Sequence, residues 1–158
     1  MNQQKTEIMI NIISDTNLLK AIVNKPENFL ELDLPIEIQN DPSIIFYDNV
    51  FPYKYPSIIL TEEKVMISFG FGNYSKYNNV FKIGRIDFFV FVHKELLKTD
   101  VGLRIDYIIN RLDILFNSNE NIGIGVLQFE NFDDLPLPST MSEKYVGCAI
   151  SYKVLEHN

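Results

Sequence analysis

Phe81-Lys82-Ile83-Gly84-Arg85-Ile86-Asp87-Phe88-Phe89-Val90-Phe91-Val92-His93 is the stretch on which the fold turns. From Ile86 to Val92 odd and even positions alike are apolar, with Asp87 as the exception. Successive side chains on a strand point to opposite faces, so such a strand is covered on both sides and belongs in the middle of a sheet. Helices are expected over one face and a neighbouring subunit over the other.

Upstream, Val65, Ile67, Phe69 and Phe71 alternate with Met66, Ser68 and Gly70, which predicts a strand with one buried face. The polar stretch between the two strands, Gly72-Asn73-Tyr74-Ser75-Lys76-Tyr77-Asn78-Asn79, is rich in turn-tolerant residues and predicts a projecting loop over 72–79. Downstream, Val101, Ile105, Ile108, Ile109, Leu112, Leu115 and Phe116 share one stripe, predicting a helix over about 100–116. Asp100 starts it, with Thr99 as the competing cap, and Asn117–Asn121 end it. Arg104, Asn110, Arg111 and Asp113 lie off the stripe, and Asp100 with Arg104 forms a weak four-apart pair.

Two more strands are predicted, Ile122–Phe129 and Tyr145–Leu155. In the latter Val146, Cys148, Ile150, Tyr152 and Val154 face one way, and Gly147, Ala149, Ser151 and Lys153 the other. Between them residues 130–143 form an acidic, proline-bearing arm. At the other end a helix is predicted from Gln4 to Val23, weakened by Ser14, Asp15 and Asn17 and closed by Pro26. Residues 26–56 carry Pro26, Pro35, Pro42, Pro52 and Pro56 and read as an ordered connection with one short strand near Ile44–Tyr47. The expected fold is α+β, one domain over 1–158: a mainly antiparallel sheet of about four or five strands, packed by the N-terminal helix and the second helix.

Composition narrows the function. The 158 residues are 46% hydrophobic and 22% charged, enough for a core without disulfides or metal staples. Lys plus Arg is 14 against 21 Asp plus Glu, a net charge of −7, which argues against a protein whose work is gripping phosphates or an anionic membrane. Cys148 is the sole cysteine, so an internal disulfide and a multi-cysteine zinc site are excluded. No apolar run reaches the length of a membrane span, and Met1–Glu7 is too polar to open a signal peptide, so no membrane partner is expected.

Sites that would carry chemistry are weak. His93 and His157 are the only histidines and share no ligand spacing; the former reads as a strand-end rim residue and the latter as a frayed terminus. Cys148 alternates with Val146 and Ile150 and reads as a small hydrophobe. Gly70-Phe71-Gly72 and Gly123-Ile124-Gly125 precede no helix, so they read as strand ends or bulges, not phosphate loops. Asp48 followed by Glu62-Glu63-Lys64 fits the spacing of a Mg²⁺-dependent nuclease, in which carboxylates hold the metal and lysine stabilises charge. The same residues also read as a solvated turn. Tyr74 and Tyr77 beside Lys76 suggest a stacking platform, or a surface loop. The 12 Phe and 8 Tyr suit a core and a subunit interface. A monomeric binding or inhibitor module remains open on these residues.

The order of aromatic strand, short charged break, Gly102-Leu103-Arg104-Ile105-Asp106-Tyr107-Ile108-Ile109 helix and a last strand opening on Tyr145-Val146-Gly147 resembles the tail-terminator or tail-completion (head-tail joining) proteins of tailed phages. The resemblance implies an α+β subunit in a homo-hexameric ring at the head-proximal end of the tail tube. There it stops the tube's polymerisation and meets a head-completion or connector protein. It implies no catalytic residue and no cofactor, DNA that passes without specific binding, and a place in the virion's tail or neck after assembly in the host cytoplasm. The segments nominated for contact with copies of the chain or with the tail-tube and connector proteins are Tyr74, Lys76 and Tyr77, and Phe132, Asp133, Asp134, Leu135, Pro136, Leu137, Pro138 and Met141. Another neck or tube component is the neighbouring alternative, and the small nuclease the alternative of a different class.

Overall fold

The computed structural model describes residues 2–58, 61–76, 81–122 and 125–157. Among them the order is α1 (Asn2–Ile13), α2 (Thr16–Val23), α3 (Ile36–Asn40), β1 (Val50–Phe51), β2 (Val65–Lys76), β3 (Phe81–His93), β4 (Lys98–Thr99), β5 (Gly102–Leu103), α4 (Arg104–Phe116), β6 (Val126–Asp134), α5 (Ser139–Ser142) and β7 (Tyr145–His157). The main sheet runs β1-β2-β3-β7-β6, and β4 with β5 makes a separate ribbon. Every pairing in the main sheet is antiparallel except that of β1 with β2. The fold is α+β, as the sequence predicts, with β3 between β2 and β7.

One face of the sheet packs on the helices. Val65, Ile67 and Phe69 of β2, Ile86, Phe88, Val90 and Val92 of β3, and Cys148, Ile150, Tyr152 and Val154 of β7 join residues of α1, α2 and α4 in one core. Phe88 stacks on Phe116 of α4 at 4.8 Å between centroids. The alternation in β7 faces as expected; in β2 Val65, Ile67 and Phe69 do so too, but Met66 and Ser68 are also buried, so both of its faces are covered where one was expected.

The opposite face, where a neighbouring subunit is expected, carries a cover from the chain itself. Residues 52–58 cross it: Ser68 Oγ donates to Lys54 O (3.0 Å), and the Tyr55 ring lies 6.2 Å from that of Phe89. A Cβ on Gly70 would stand 2.6 Å from Lys54 Cγ, so glycine is what lets this strap pass. Phe51, Met66, Phe91 and Tyr145 form a second apolar cluster there, joined by Leu135 and Leu137. Asp87, only 4% exposed, lies in the same layer with Lys54 Nζ at 3.1 Å, Arg85 Nε at 2.7 Å and the Ser151 hydroxyl at 2.6 Å. Burial alone would raise its pKa. The Ser151 and Lys54 hydrogen bonds and the Arg85 charge outweigh that and hold it below the ordinary value.

The N-terminal helix is two helices. Asp15 breaks it: its carboxylate accepts from Leu18 N (2.8 Å) as the N-cap of α2 and also pairs with Arg111 of α4. The short strand expected near Ile44–Tyr47 is a 3-10 turn at Pro42–Ile45, and β1 follows it at Val50–Phe51. The second helix begins at Arg104, not Asp100, because β4 and β5 turn back through Gly102 (φ 98°) first. Thr99 holds that turn, donating to Gly102 O at 2.5 Å. Most of the expected loop 72–79 is strand, since β2 runs on to Lys76 and β3 begins at Phe81; residues 77–80 lie outside the described residues.

Arg104 is the largest departure from expectation. It is 1% exposed, and its guanidinium donates to Leu96 O (2.7 Å), Ala21 O (3.0 Å), Asn24 O (2.7 Å), Lys25 O (2.8 Å) and Pro26 O (3.2 Å), over the ring of Phe29 at 4.6 Å. All five guanidinium N–H groups are used. Two of the acceptors, Ala21 and Asn24, lie at the C-terminus of α2, where carbonyls lack intrahelical donors and a cation suits the helix dipole. Burial lowers its pKa to about 10, which still leaves it charged at neutral pH.

Candidate interaction surface

β6 closes one edge of the sheet, and its two halves differ. Leu127 N donates to Asn119 O (3.0 Å), Ser118 N to Leu127 O (2.7 Å), and Phe129 N to the Asn117 side chain (3.2 Å). The first half of the outer edge is thus covered by the end of α4. Beyond Phe129 no backbone bond from another segment reaches that edge among the described residues. Leu135 N bonds inward to Gly147 O (2.9 Å), so by antiparallel alternation Phe132 and Asp134 turn their backbone groups outward. The outward N–H of Asp134 is taken by the carboxylate of Asp133 (2.8 Å), leaving Phe132 N–H and the carbonyls open.

A register shift between Phe129 and Asn131 sets the chemistry of this edge. Residues three apart on a regular strand face opposite ways. Here Phe129 stands opposite Tyr152 and Phe132 opposite Ile150, both on the helix face, because the extra residue Glu130 is bulged out. Phe129 is 50% exposed and Phe132 43%. They form one wall of a groove of about 430 Å³ whose other wall is Asp106, Ile109, Asn110 and Asp113 of α4, with Ile150 beneath. Among the described residues no lysine or arginine lines it. Asp113 is hydrogen-bonded by the Tyr152 hydroxyl at 2.7 Å, and burial followed by that carboxylate raises the Tyr152 pKa.

The nominated residues fall in different settings. Tyr74 and Lys76 are in β2, with Lys76 in register with Lys82 of β3, and Tyr77 is outside the described residues. Phe132, Asp133 and Asp134 are in β6. The rest of the expected arm folds back and does not project. Leu135 and Leu137 join the second apolar cluster, and a Cβ on Gly147 would meet both within 3.4 Å. Pro136 is exposed, Pro138 caps α5, and Met141 is half-buried at its end.

Asp48, Glu62 and Lys64 do converge, Lys64 Nζ lying 2.8 Å from Asp48 Oδ1 and 3.2 Å from Glu62 Oε2. Burial would lower the lysine's pKa, and the two carboxylates reverse this and raise it. Among the described residues no three His, Cys, Asp or Glu side chains stand where they could share a metal ion. Cys148 is buried and 3.7 Å from Asp134 Oδ1; burial, then that carboxylate, pushes its thiol pKa up to about 12. His93 is buried, with Nδ1 accepting from Glu95 N (3.1 Å), which makes it the cap of a 3-10 turn (Lys94–Leu96) and not a rim residue. Gly123 and Ile124 lie outside the described residues, and among those described no helix is long and apolar enough to cross a membrane.

A mainly antiparallel α+β domain with one half-open, acidic and aromatic sheet edge is what the geometry defines. Residues 15–154 match the family model YomW, and the chain belongs to that family. The family is phage-derived, which makes this a phage-related protein. No curated protein matches the sequence.

Proposed function

We propose that the protein is a structural virion component acting as a tail terminator: copies close a ring, expected to be hexameric, on the head-proximal end of the tail tube. The ring ends the tube's growth and presents a docking surface to the head-completion or connector protein. The observation that carries this reading is the match of residues 15–154 to a phage-derived family. A half-open sheet edge with exposed aromatics suits a protein that works by contact. A head-to-tail ring needs two different patches; the β2–β3 end is one candidate for contact between copies, and the β6 edge with Phe132–Asp134 is a candidate for contact with the tube or connector protein. The net charge of −7 suits a passage through which DNA slides without fixed cationic contacts. On this reading the protein makes and breaks no covalent bond, holds no cofactor, and resides in the tail or neck of the virion after assembly in the host cytoplasm. Size-exclusion chromatography with light scattering, on the protein alone and with the tail-tube protein, tests it. Rings in either sample agree, and a monomer that ignores the tube protein refutes it.

A second reading, a small Mg²⁺-dependent nuclease, is favoured by the convergence of Asp48, Glu62 and Lys64. DNA cleavage that requires Mg²⁺ and is lost in Glu62→Gln would establish it in place of the first.

A further inference from the structure

Three observations on β6 coincide without a covering element. On its outer backbone the Phe132 N–H and the carbonyls of Phe132 and Asp134 have no partner from another segment among the described residues, while the preceding half is closed by Asn117–Asn119. The bulge at Glu130 sets Phe129 and Phe132 side by side on one face, each about half exposed. Asp106 and Asp113 line the groove, Asp134 lies on the same helix-facing side in the adjoining pocket that Lys94 also lines, Glu130 is the bulged residue and Asp133 is on the opposite face of the strand; among the described residues no cation lines the groove itself.

We propose that residues 130–134 accept an extended, basic segment of a different protein as an added strand, its cationic side chains over Asp106, Asp113 and Asp134 and its apolar side chains over Phe129 and Phe132. Strand addition supplies backbone hydrogen bonds for affinity and leaves specificity to alternate side chains. Phe132 N–H and the carbonyls of Phe132 and Asp134 supply the first, the aromatic and acidic wall the second. Charge complementarity selects the occupant: a like copy carries a net charge of −7 and meets this edge with repulsion, whereas a lysine- or arginine-bearing strand is attracted. Lone carboxylates at an edge also deter stray pairing. That role alone does not explain a bulge that keeps two phenylalanines exposed on one side. The inference rests on the edge and stands apart from the tail-terminator reading, since an edge of this chemistry takes such a strand wherever the protein acts.

The test is a fluorescence-anisotropy titration of the full chain with a labelled peptide of alternating lysine and valine, its glutamate-valine counterpart, and a lysine-valine peptide N-methylated at alternate residues. The lysine peptide is expected to bind, to weaken about tenfold or more at high salt, and to lose about tenfold in affinity with Asp133→Lys plus Asp134→Lys. Glu31→Lys plus Asp33→Lys, on an exposed loop elsewhere, leaves binding unchanged. The N-methylated peptide keeps its charge but lacks edge donors and is expected to bind far more weakly, a readout that needs no altered protein. Equal binding of lysine and glutamate peptides, undiminished binding of the N-methylated one, equal loss in the Glu31/Asp33 variant, or no binding of the lysine peptide each overturns the proposal. So does self-association of the wild type that Asp133→Lys plus Asp134→Lys abolishes, because the edge would then hold a second copy.

Discussion

The Arg104 guanidinium lies 2.7 Å from the carbonyl oxygen of Asn24, at the far end of α2, eighty residues earlier in the chain. Four more carbonyls complete its shell, and among the described residues no carboxylate enters it. The buried charge is therefore offset by backbone dipoles and the face of the Phe29 ring, which ties α2, the turn at Lys25–Pro26 and the start of α4 into one unit.

Arg104→Lys is expected to destabilise by about 3 kcal/mol or more, because an ammonium with three donors cannot reach five carbonyls fixed around a planar fork. Arg104→Met, which leaves the same carbonyls unpaired, should cost a similar amount. Urea denaturation followed by circular dichroism measures both, and a loss below about 1 kcal/mol for either would show that water replaces the guanidinium.

Asp87→Asn is expected to cost about 2 kcal/mol, less than a fully buried ion pair because Lys54 and Arg85 keep water contact. The sign of the pH effect follows from the lowered pKa. The contribution is present above the unfolded value of about 3.9 and is lost as pH falls through the folded value below it. Wild type should therefore lose stability in that acid window more steeply than the variant, as thermal melts across it would show.

Cys148 is expected to resist thiol reagents in the folded state. Its pKa of about 12 leaves roughly a hundredfold or more less thiolate at pH 8 than a free cysteine carries. Native labelling with iodoacetamide should be slower than labelling in urea by at least that order. Comparable rates would mean that β7 opens readily.

Leu137→Ala is expected to cost about 2 kcal/mol, since Leu137 helps cover the cluster of Phe51, Met66, Phe91 and Tyr145. For the same reason, deleting 136–140 should destabilise the fold and not merely prevent assembly. A deletion variant melting with the wild type would show that the returning segment is dispensable to the core.

What the sequence disclosed and withheld has a physical pattern. The two-sided apolar run of β3, the alternation in β2 and β7 and the stripe of α4 were legible because burial writes a period into the residues. Arg104 was not: a charged residue in the first turn of a helix ordinarily points to solvent, and its five acceptors come from residues 21–26 and 96, which spacing cannot foretell. The second face of β3 needs a cover, yet nothing in Pro52–Ile58 itself marks it as the strap; only Gly70 of β2, whose missing side chain makes room for Lys54, hints at it. Asp15 was visible as a weak helix former, and its role as cap and ion-pair partner explains why the helix breaks there. At the edge the sequence marks Phe132, Asp133 and Asp134 but not Phe129, because a one-residue bulge leaves no mark in the pattern.

The most direct test of the contact role is electron microscopy of phage particles produced with and without this protein, measuring tail-tube length and attachment to heads. The account predicts that without it tubes lose their uniform length and stay detached, and that wild-type protein supplied in trans restores both. Tails of normal length joined to heads in its absence would contradict it.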